Sequence, residues 1–306
     1  MTELYRKHRP SDLDAVVGQT TAIKVLKQKL KDDNMPHALL FIGPSGVGKT
    51  TIARALRKPL KCHPSEFHEV NCADIRGIDN IREIRKRMGL RPMNGQTKIW
   101  LIDEAHRLTG EAQDALLKML EDTPKHVYFM LATTLPNKIT KTIHTRCMTL
   151  HLKPISEKDL TELVLSVAKN ENKGDLDDSV VSKIVEHSDG SARQALVLLD
   201  SVIRLDSEED MLEAIEKSTM STQAIQLCRL MMNPRTSWQE VGKLLKELEG
   251  EDPEGLRRMM LGYMRAVLLN SGQQRAAFII GVFERNFFDS GNAGLTLACY
   301  EVMTRK

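Results

Sequence analysis

The segment HALLFIGPSGVGKTTIARALRK, residues 37–58, constrains the fold of this chain more than any other stretch. Ala38 to Ile42 is an apolar run of the length and type of a buried parallel strand. Gly43, Pro44, Ser45, Gly46, Val47, Gly48, Lys49 and Thr50 follow and match the pattern Gly-x4-Gly-Lys-Ser/Thr, with Thr51 directly behind. A helical pattern then starts, with Ile52, Ala53 and Leu56 at its apolar positions. Strand, glycine loop and helix in this order form a P-loop, so an α/β nucleotide-binding domain is expected. The glycines let backbone N–H groups turn toward phosphate oxygens, and the helix N-terminus adds positive potential. In such a loop Lys49 neutralises the β- and γ-phosphates of a bound nucleotide, and Thr50 ligates Mg²⁺.

A second apolar run, KIWLIDEAH (98–106), ends in Asp103 and Glu104. Carboxylates at the C-terminal edge of an open α/β sheet lie where ligands bind. Asp103 is expected in the Mg²⁺ shell, and Glu104 is expected to orient the attacking water, so the pair points to hydrolysis and not binding alone. A third run, VYFMLATT, ends at Thr133 and Thr134, and the Thr134 hydroxyl is a candidate to hold that water.

Bulk properties narrow the class. The 306 residues suffice for two or three domains, and 41% hydrophobic with 28% charged residues describes a soluble globular chain. No apolar run reaches membrane-spanning length, and MTELYRKHRP lacks an apolar signal core, so a cytoplasmic location is expected. Five scattered cysteines, an odd number, argue for reduced thiols over a disulfide framework. A net charge of +3 does not by itself indicate a nucleic-acid partner, and 4% aromatics give no base-stacking platform.

The block from Asp103 to His151 closely resembles the bacterial DNA polymerase III gamma/tau subunit, through ALLKMLED, LATT and an arginine-cysteine pair in that order. LYRKHRPSDLDAVVGQ, near the N-terminus, is similar to the opening of that subunit and of the replication factor C small subunits. Both are AAA+ clamp-loader ATPases, and the resemblance spans roughly residues 3 to 205. It implies that Arg146, in THR-ARG-CYS order where the family has Ser-Arg-Cys, reaches the γ-phosphate held by a neighbouring subunit. An always-charged planar fork suits that task, and an isolated monomer is then a poor ATPase. It implies that Arg193, in GSARQALVLLD, senses nucleotide from a helical lid, and that Tyr5, Arg9, Pro10, Val16 and Val17 wall the adenine.

The helix pattern DIRGIDNIREIRKRMGLR carries Arg76, Arg82, Arg85 and Lys86 beside an apolar stripe of Ile78, Ile81, Ile84 and Met88. A basic flank of this kind binds phosphates without reading bases. By resemblance the helix lines a chamber for primer–template DNA, joined by Lys138 and Lys141, and Gln113 couples DNA to neighbouring sites. Met88, Leu90 and Met93 form a short apolar cluster that the resemblance turns toward a sliding clamp. The interval holding Cys62, His63, His68 and Cys72 lacks the CxxC pairs of the family's zinc module, so zinc is not expected there. That departure points to a reduced, viral or archaeal-like relative.

Three domains are expected: an AAA+ α/β domain over 1–154, a helical lid over 155–206 and an all-α collar over 207–306. In the last, four helices are read, starting near 222, 238, 253 and 274, with Leu261, Met264, Leu268 and Leu269 as core. The leading expectation is an ATPase subunit of a clamp loader, working in a homo- or hetero-oligomeric, pentameric ring with a sliding clamp. ATP binding opens the clamp and hydrolysis releases it on DNA. Two alternatives stay open: a DNA motor of the branch-migration helicase type, and an ATP-binding scaffold that does not hydrolyse.

Overall fold

The computed structural model describes residues 3–73, 77–173, 176–287 and 289–305. The chain divides into two compact units, Met1–Arg204 and Leu205–Lys306. In the first, chain order is α1 (Leu4–Lys7), α2 (Thr20–Lys31), β1 (Ala38–Ile42), α3 (Lys49–Ala55), β2 (Cys62–Asn71), α4 (Ile78–Met88) and β3 (Thr97–Asp103). Then come α5 (Gly110–Glu121), β4 (Val127–Thr133), α6 (Lys141–Arg146) and β5 (Met148–His151), followed by α7 (Glu157–Asn170), α8 (Asp178–Glu186) and α9 (Ala192–Val202).

The five strands form one parallel sheet in the order β2-β3-β4-β1-β5. All five residues of β1 are buried because helices cover both faces of the sheet. Leu39 and Phe41 pack with α2 and α3, while Leu40 and Ile42 face the opposite core with α4 and α5. Register aligns the C-terminal ends: Ile42 lies opposite Thr133 and His151, and Asn71 lies opposite Asp103. The strand tips therefore share one edge, where an open α/β sheet binds its ligand. This is the α/β P-loop architecture expected from the sequence.

Helix α4 buries Ile81, Ile84 and Met88, so its apolar stripe faces the sheet. Met88 is 6% exposed and belongs to the core that also holds Trp100 and Leu116. Its assignment to an exposed clamp contact is therefore corrected: helical spacing from Ile81 and Ile84 carries Met88 onto the same buried face. Gly190, at φ +72, closes the turn before α9 against Pro154, whose ring a Cβ there would overlap.

The second unit contains α10 (Glu208–Met232), α11 (Trp238–Glu247), α12 (Pro253–Ser271), α13 (Gln274–Val282) and α14 (Gly291–Thr304). Helix α10 runs unbroken where a separate helix from about 222 was expected. The stretch has no Gly or Pro, and its Ser/Thr run is only a weak helix former, which does not stop a helix already capped by Ser207. Helix α14 was not anticipated, yet it buries Leu295, Ala298, Cys299 and Val302. Met264 is in the core and Leu261 and Leu268 pack partly against it, but Leu269 is 70% exposed, which removes it from the expected core. Among the described residues no helix is long and apolar enough to cross a membrane.

Candidate functional site

A pocket opens at the strand-tip edge of the first unit. The P-loop forms its floor from Ser45 to Thr51, Asp103 and Glu104 stand on one side, and Tyr5, Arg9, Pro10, Val16 and Val17 on another. The helical segment closes it with Ile155, Leu163, Ala192, Arg193 and Leu196. Sequence reading had not included His8, Ile155, Leu163, Ala192 or Leu196 in this lining. His8 lies within LYRKHRPSDLDAVVGQ and Ala192 and Leu196 within GSARQALVLLD, whereas Ile155 and Leu163 belong to no motif and arrive through packing.

The loop's shape depends on two glycines in particular. Gly48 has φ +106, a left-handed value that L side chains rarely adopt. At Gly46, with φ +78, a Cβ would overlap Ser191 Oγ, the side chain that caps α9 by accepting from Gln194 N at 3.2 Å. The P-loop and the helix carrying Arg193 thus touch directly. Gly43 and Pro44 lie behind the lining. The Gly43 N–H donates to Thr133 O at 3.3 Å, and the carbonyls of both accept from Lys49 Nζ at 2.8 and 2.6 Å.

Lys49 is only 6% exposed. Burial pulls its ammonium below the ordinary lysine value, while Glu104 and Asp103 pull it back up. Thr50 Oγ1 donates to Asp103 Oδ2 at 3.0 Å. These hard oxygens fit Mg²⁺, which takes one or two carboxylates and completes its shell with water and phosphate oxygens. Burial, then the nearby Arg54, also lowers Arg9, whose positive charge reinforces that of Lys49 and Arg193 in one concavity. The Arg193 guanidinium lies over the Tyr5 ring at 4.9 Å, a cation–π contact that joins α1 to α9.

The remaining expected residues lie outside this pocket. Thr134 is half-buried beyond the end of β4 and is not part of the lining. Arg146 ends α6 on the surface, ion-paired with Glu121 and donating to Thr142 O at 3.2 Å. Arg82, Arg85 and Lys86 are exposed on α4, where Arg82 meets Asp79 at 3.2 Å. Lys138 and Lys141 are exposed, in the turn before α6 and at its start. Arg76 lies outside the described residues.

Gln113 is buried at 5% exposure. Its amide donates to Lys138 O at 3.0 Å and accepts from Thr140 N at 3.0 Å, so α5 holds the entry to α6. Leu90 and Met93 are 64% and 92% exposed at the tip of the loop after α4. Beneath them, buried Lys98 donates to Leu90 O at 3.0 Å, and buried Glu66 accepts from Met93 N at 2.8 Å. Burial pushes the Glu66 carboxyl up, but the Met93 N–H and Lys98 outweigh it and hold it below the usual range. The exposed apolar tip is therefore built on a fixed base.

Cys62 and Cys72 belong to the two different cores on opposite faces of the sheet, and burial pushes their thiols up to about 11 and about 12. His63 is exposed, and His68 stacks on Trp100 at 4.3 Å.

Comparison with known proteins agrees with this geometry. The family described as "DNA polymerase III, delta subunit" matches residues 18–80 and 73–156. The tau subunit of DNA polymerase III from Bacillus subtilis is 32% identical over 311 residues, 92% of this chain and 54% of that protein. The tau/gamma subunit from Haemophilus influenzae is 34% identical over 223 residues, 66% of this chain and 32% of that protein. The replication factor C small subunit of Aeropyrum pernix is 38% identical over 199 residues, 64% of this chain and 61% of that protein. The chain thus spans between about a third and three fifths of the length of these relatives. Among solved structures, the Thermotoga maritima RuvB Holliday junction branch migration motor superposes with a TM-score of 0.56 at 22% identity. That match covers 73% of this chain and 78% of RuvB, and it is a likeness of fold. Taken together, the P-loop sheet, the strand-tip carboxylates and these matches make the chain similar to the gamma/tau subunits of DNA polymerase III and to the replication factor C small subunits.

Proposed function

We propose that the chain is an ATP-hydrolysing subunit of a sliding-clamp loader. The observation that carries this reading is the division of labour around one pocket. Lys49, Thr50, Asp103, Glu104 and Arg193 converge there, whereas Arg146 stands on the surface at the end of α6. The three-part division into residues 1–154, 155–206 and 207–306 follows as catalytic domain, lid and collar.

In this reading the phosphates of ATP lie along the backbone N–H groups of residues 45–51. Lys49 exchanges the Gly43 and Pro44 carbonyls for the β- and γ-phosphates, a swap of neutral acceptors for charged ones that favours binding. Thr50 and Asp103 would hold Mg²⁺, which neutralises phosphate charge. Glu104 orients the attacking water and takes up its proton. Thr134 assists at the strand tip. Tyr5, Arg9, Pro10, Val16 and Val17 enclose the base, and Arg193 leaves the Tyr5 face to meet the nucleotide as the lid closes. Arg146 completes the site of the adjacent subunit in a ring, stabilising charge on the transferring phosphoryl group.

The partners follow from the surfaces. Arg82, Arg85, Lys86, Lys138 and Lys141, with Arg76, would contact DNA phosphates, and Gln113 would carry that contact to α6. Leu90 and Met93 would meet the clamp. ATP hydrolysis measured with and without primed DNA and a candidate clamp tests the whole reading. Turnover should rise when all three components and a complete ring are present. Full-rate turnover by the chain at a dilution where it is monomeric would overturn it.

A further inference from the structure

Two residues past the carboxylate pair, the side chain of His106 is only 7% exposed. Its Nδ1 lies 3.2 Å from Thr133 Oγ1 and 3.3 Å from Glu104 Oε2. Thr133 is fully buried at the tip of β4, and its Oγ1 also accepts from Leu135 N at 3.1 Å. Both contacts of the imidazole fall on the same nitrogen. A bare Nδ1 would set two acceptors face to face at the carboxylate, so the ring carries its proton there and donates it.

Glu104 depends on such support. Its φ is +52, in the left-handed region, where a non-glycine residue persists only when its surroundings over-determine it. The backbone is pinned on both sides: Glu104 N donates to Asp103 Oδ1 at 2.9 Å, and Glu104 O accepts from Arg107 N at 2.8 Å. These bonds fix the main chain and leave the direction of the carboxylate to its own partner, which is His106.

We propose that His106 is a positioning residue for the Glu104 carboxylate, and that the Thr133 hydroxyl sets the ring so that Glu104 follows the tip of β4. The proposal rests on reading Glu104 as the group that orients the attacking water. The segment after Thr133 passes through the turn Pro136–Lys138 into α6 and Arg146. A shift of α6 then reaches the chain's own carboxylate through one hydroxyl and one ring. Burial lowers His106 below the ordinary histidine value, Glu104 raises it, and Arg107, Lys138 and Lys49 lower it further. The lowered value favours the neutral ring. A neutral donor orients a carboxylate without quenching its negative charge, which an imidazolium would do.

The test compares His106→Ala, His106→Asn, Thr133→Val and Glu104→Gln in the full chain, under the assembly conditions that give turnover. Single-turnover ATP hydrolysis and ATP dissociation constants are measured for each. His106→Ala should slow hydrolysis about tenfold or more with the dissociation constant within about twofold. His106→Asn, whose amide N–H takes the place of Nδ1–H, should recover most of that loss, and Thr133→Val should fall between. A His106→Ala rate within about twofold of the parent, or no recovery in His106→Asn, overturns the proposal. If His106→Ala does not fold, the near-isosteric Thr133→Val decides, and a parent-like rate there overturns it. Loss of turnover in Glu104→Gln alone refutes only this proposal, whereas retained turnover in Glu104→Gln refutes the role of Glu104 on which it rests.

Discussion

Arg146 and Lys49 illustrate how one charge type serves two ends at the scale of a residue. Lys49 is buried against carbonyls that phosphates can replace, while Arg146 is held at the surface by Glu121, with its planar fork near solvent. An exposed pair of that kind contributes only up to about 1 kcal/mol, so Glu121 can release the arginine to a stronger anion. Arg146→Ala should therefore cut DNA- and clamp-stimulated turnover about a thousandfold or more, while ATP affinity stays within about twofold. Steady-state hydrolysis together with nucleotide titration checks this, and normal turnover in the variant assembly would rule out a role in a neighbour's site. Cys147, one residue on, packs against the core, and burial pushes its thiol up to about 12. That residue is an anchor for the arginine's helix and not a reactive thiol.

At the scale of elements, α4 and α5 show how one amphipathic face is spent on the core and leaves the other exposed. Burial of Ile81, Ile84 and Met88 forces Arg82, Arg85 and Lys86 outward together. Reversing two of them, in Arg82→Glu with Lys86→Glu, should weaken primed-DNA binding and flatten its salt dependence by about two units of slope. DNA titrations at several salt concentrations read this directly, and an unchanged slope would remove α4 from the DNA surface. Helix α5 contributes Gln113, whose side chain satisfies Lys138 O and Thr140 N. Gln113→Leu leaves those groups unpaired and should cost roughly 1–3 kcal/mol of stability, seen as a lower melting temperature. If the buried amide also orients α6, stimulated turnover should fall more steeply than stability does. A variant that melts lower but turns over normally would confine Gln113 to stability.

For the molecule as a whole, the chain forms two compact units. The second is tied by Glu254, which is 4% exposed and accepts from Arg257 and from Phe287 N. Arg257, first, and then the Phe287 N–H hold its carboxyl down to about 2. The folded value lies below the ordinary one of 4.5, so this contribution is present above about pH 4.5 and is lost as pH falls toward about 2. Acid titration followed by circular dichroism should show the helices of the second unit loosening in that window. Glu254→Gln should destabilise them at pH 7 and remove the pH dependence there. An acid transition of unchanged size and midpoint in Glu254→Gln would assign it to other groups.

What could be read from the sequence was what neighbours in the chain decide. The strand, the glycine loop and the following helix are contiguous, so the loop that lines the pocket, with Lys49 and Thr50, was legible without a partner in space. Asp103 and Glu104 were legible for the same reason, because a strand's apolar run stops where its tip meets water. Tertiary structure alone decided which face of an element meets a neighbour. It buried Met88, exposed Leu269, ran α10 through a Ser/Thr-rich stretch, and set Ser191 against Gly46 so that the P-loop and the start of α9 meet. It also brought His106 to Thr133, 27 residues away, because β3 and β4 lie side by side in the parallel sheet. Contacts across a sheet depend on strand order and register, and neither is written in any local stretch of residues.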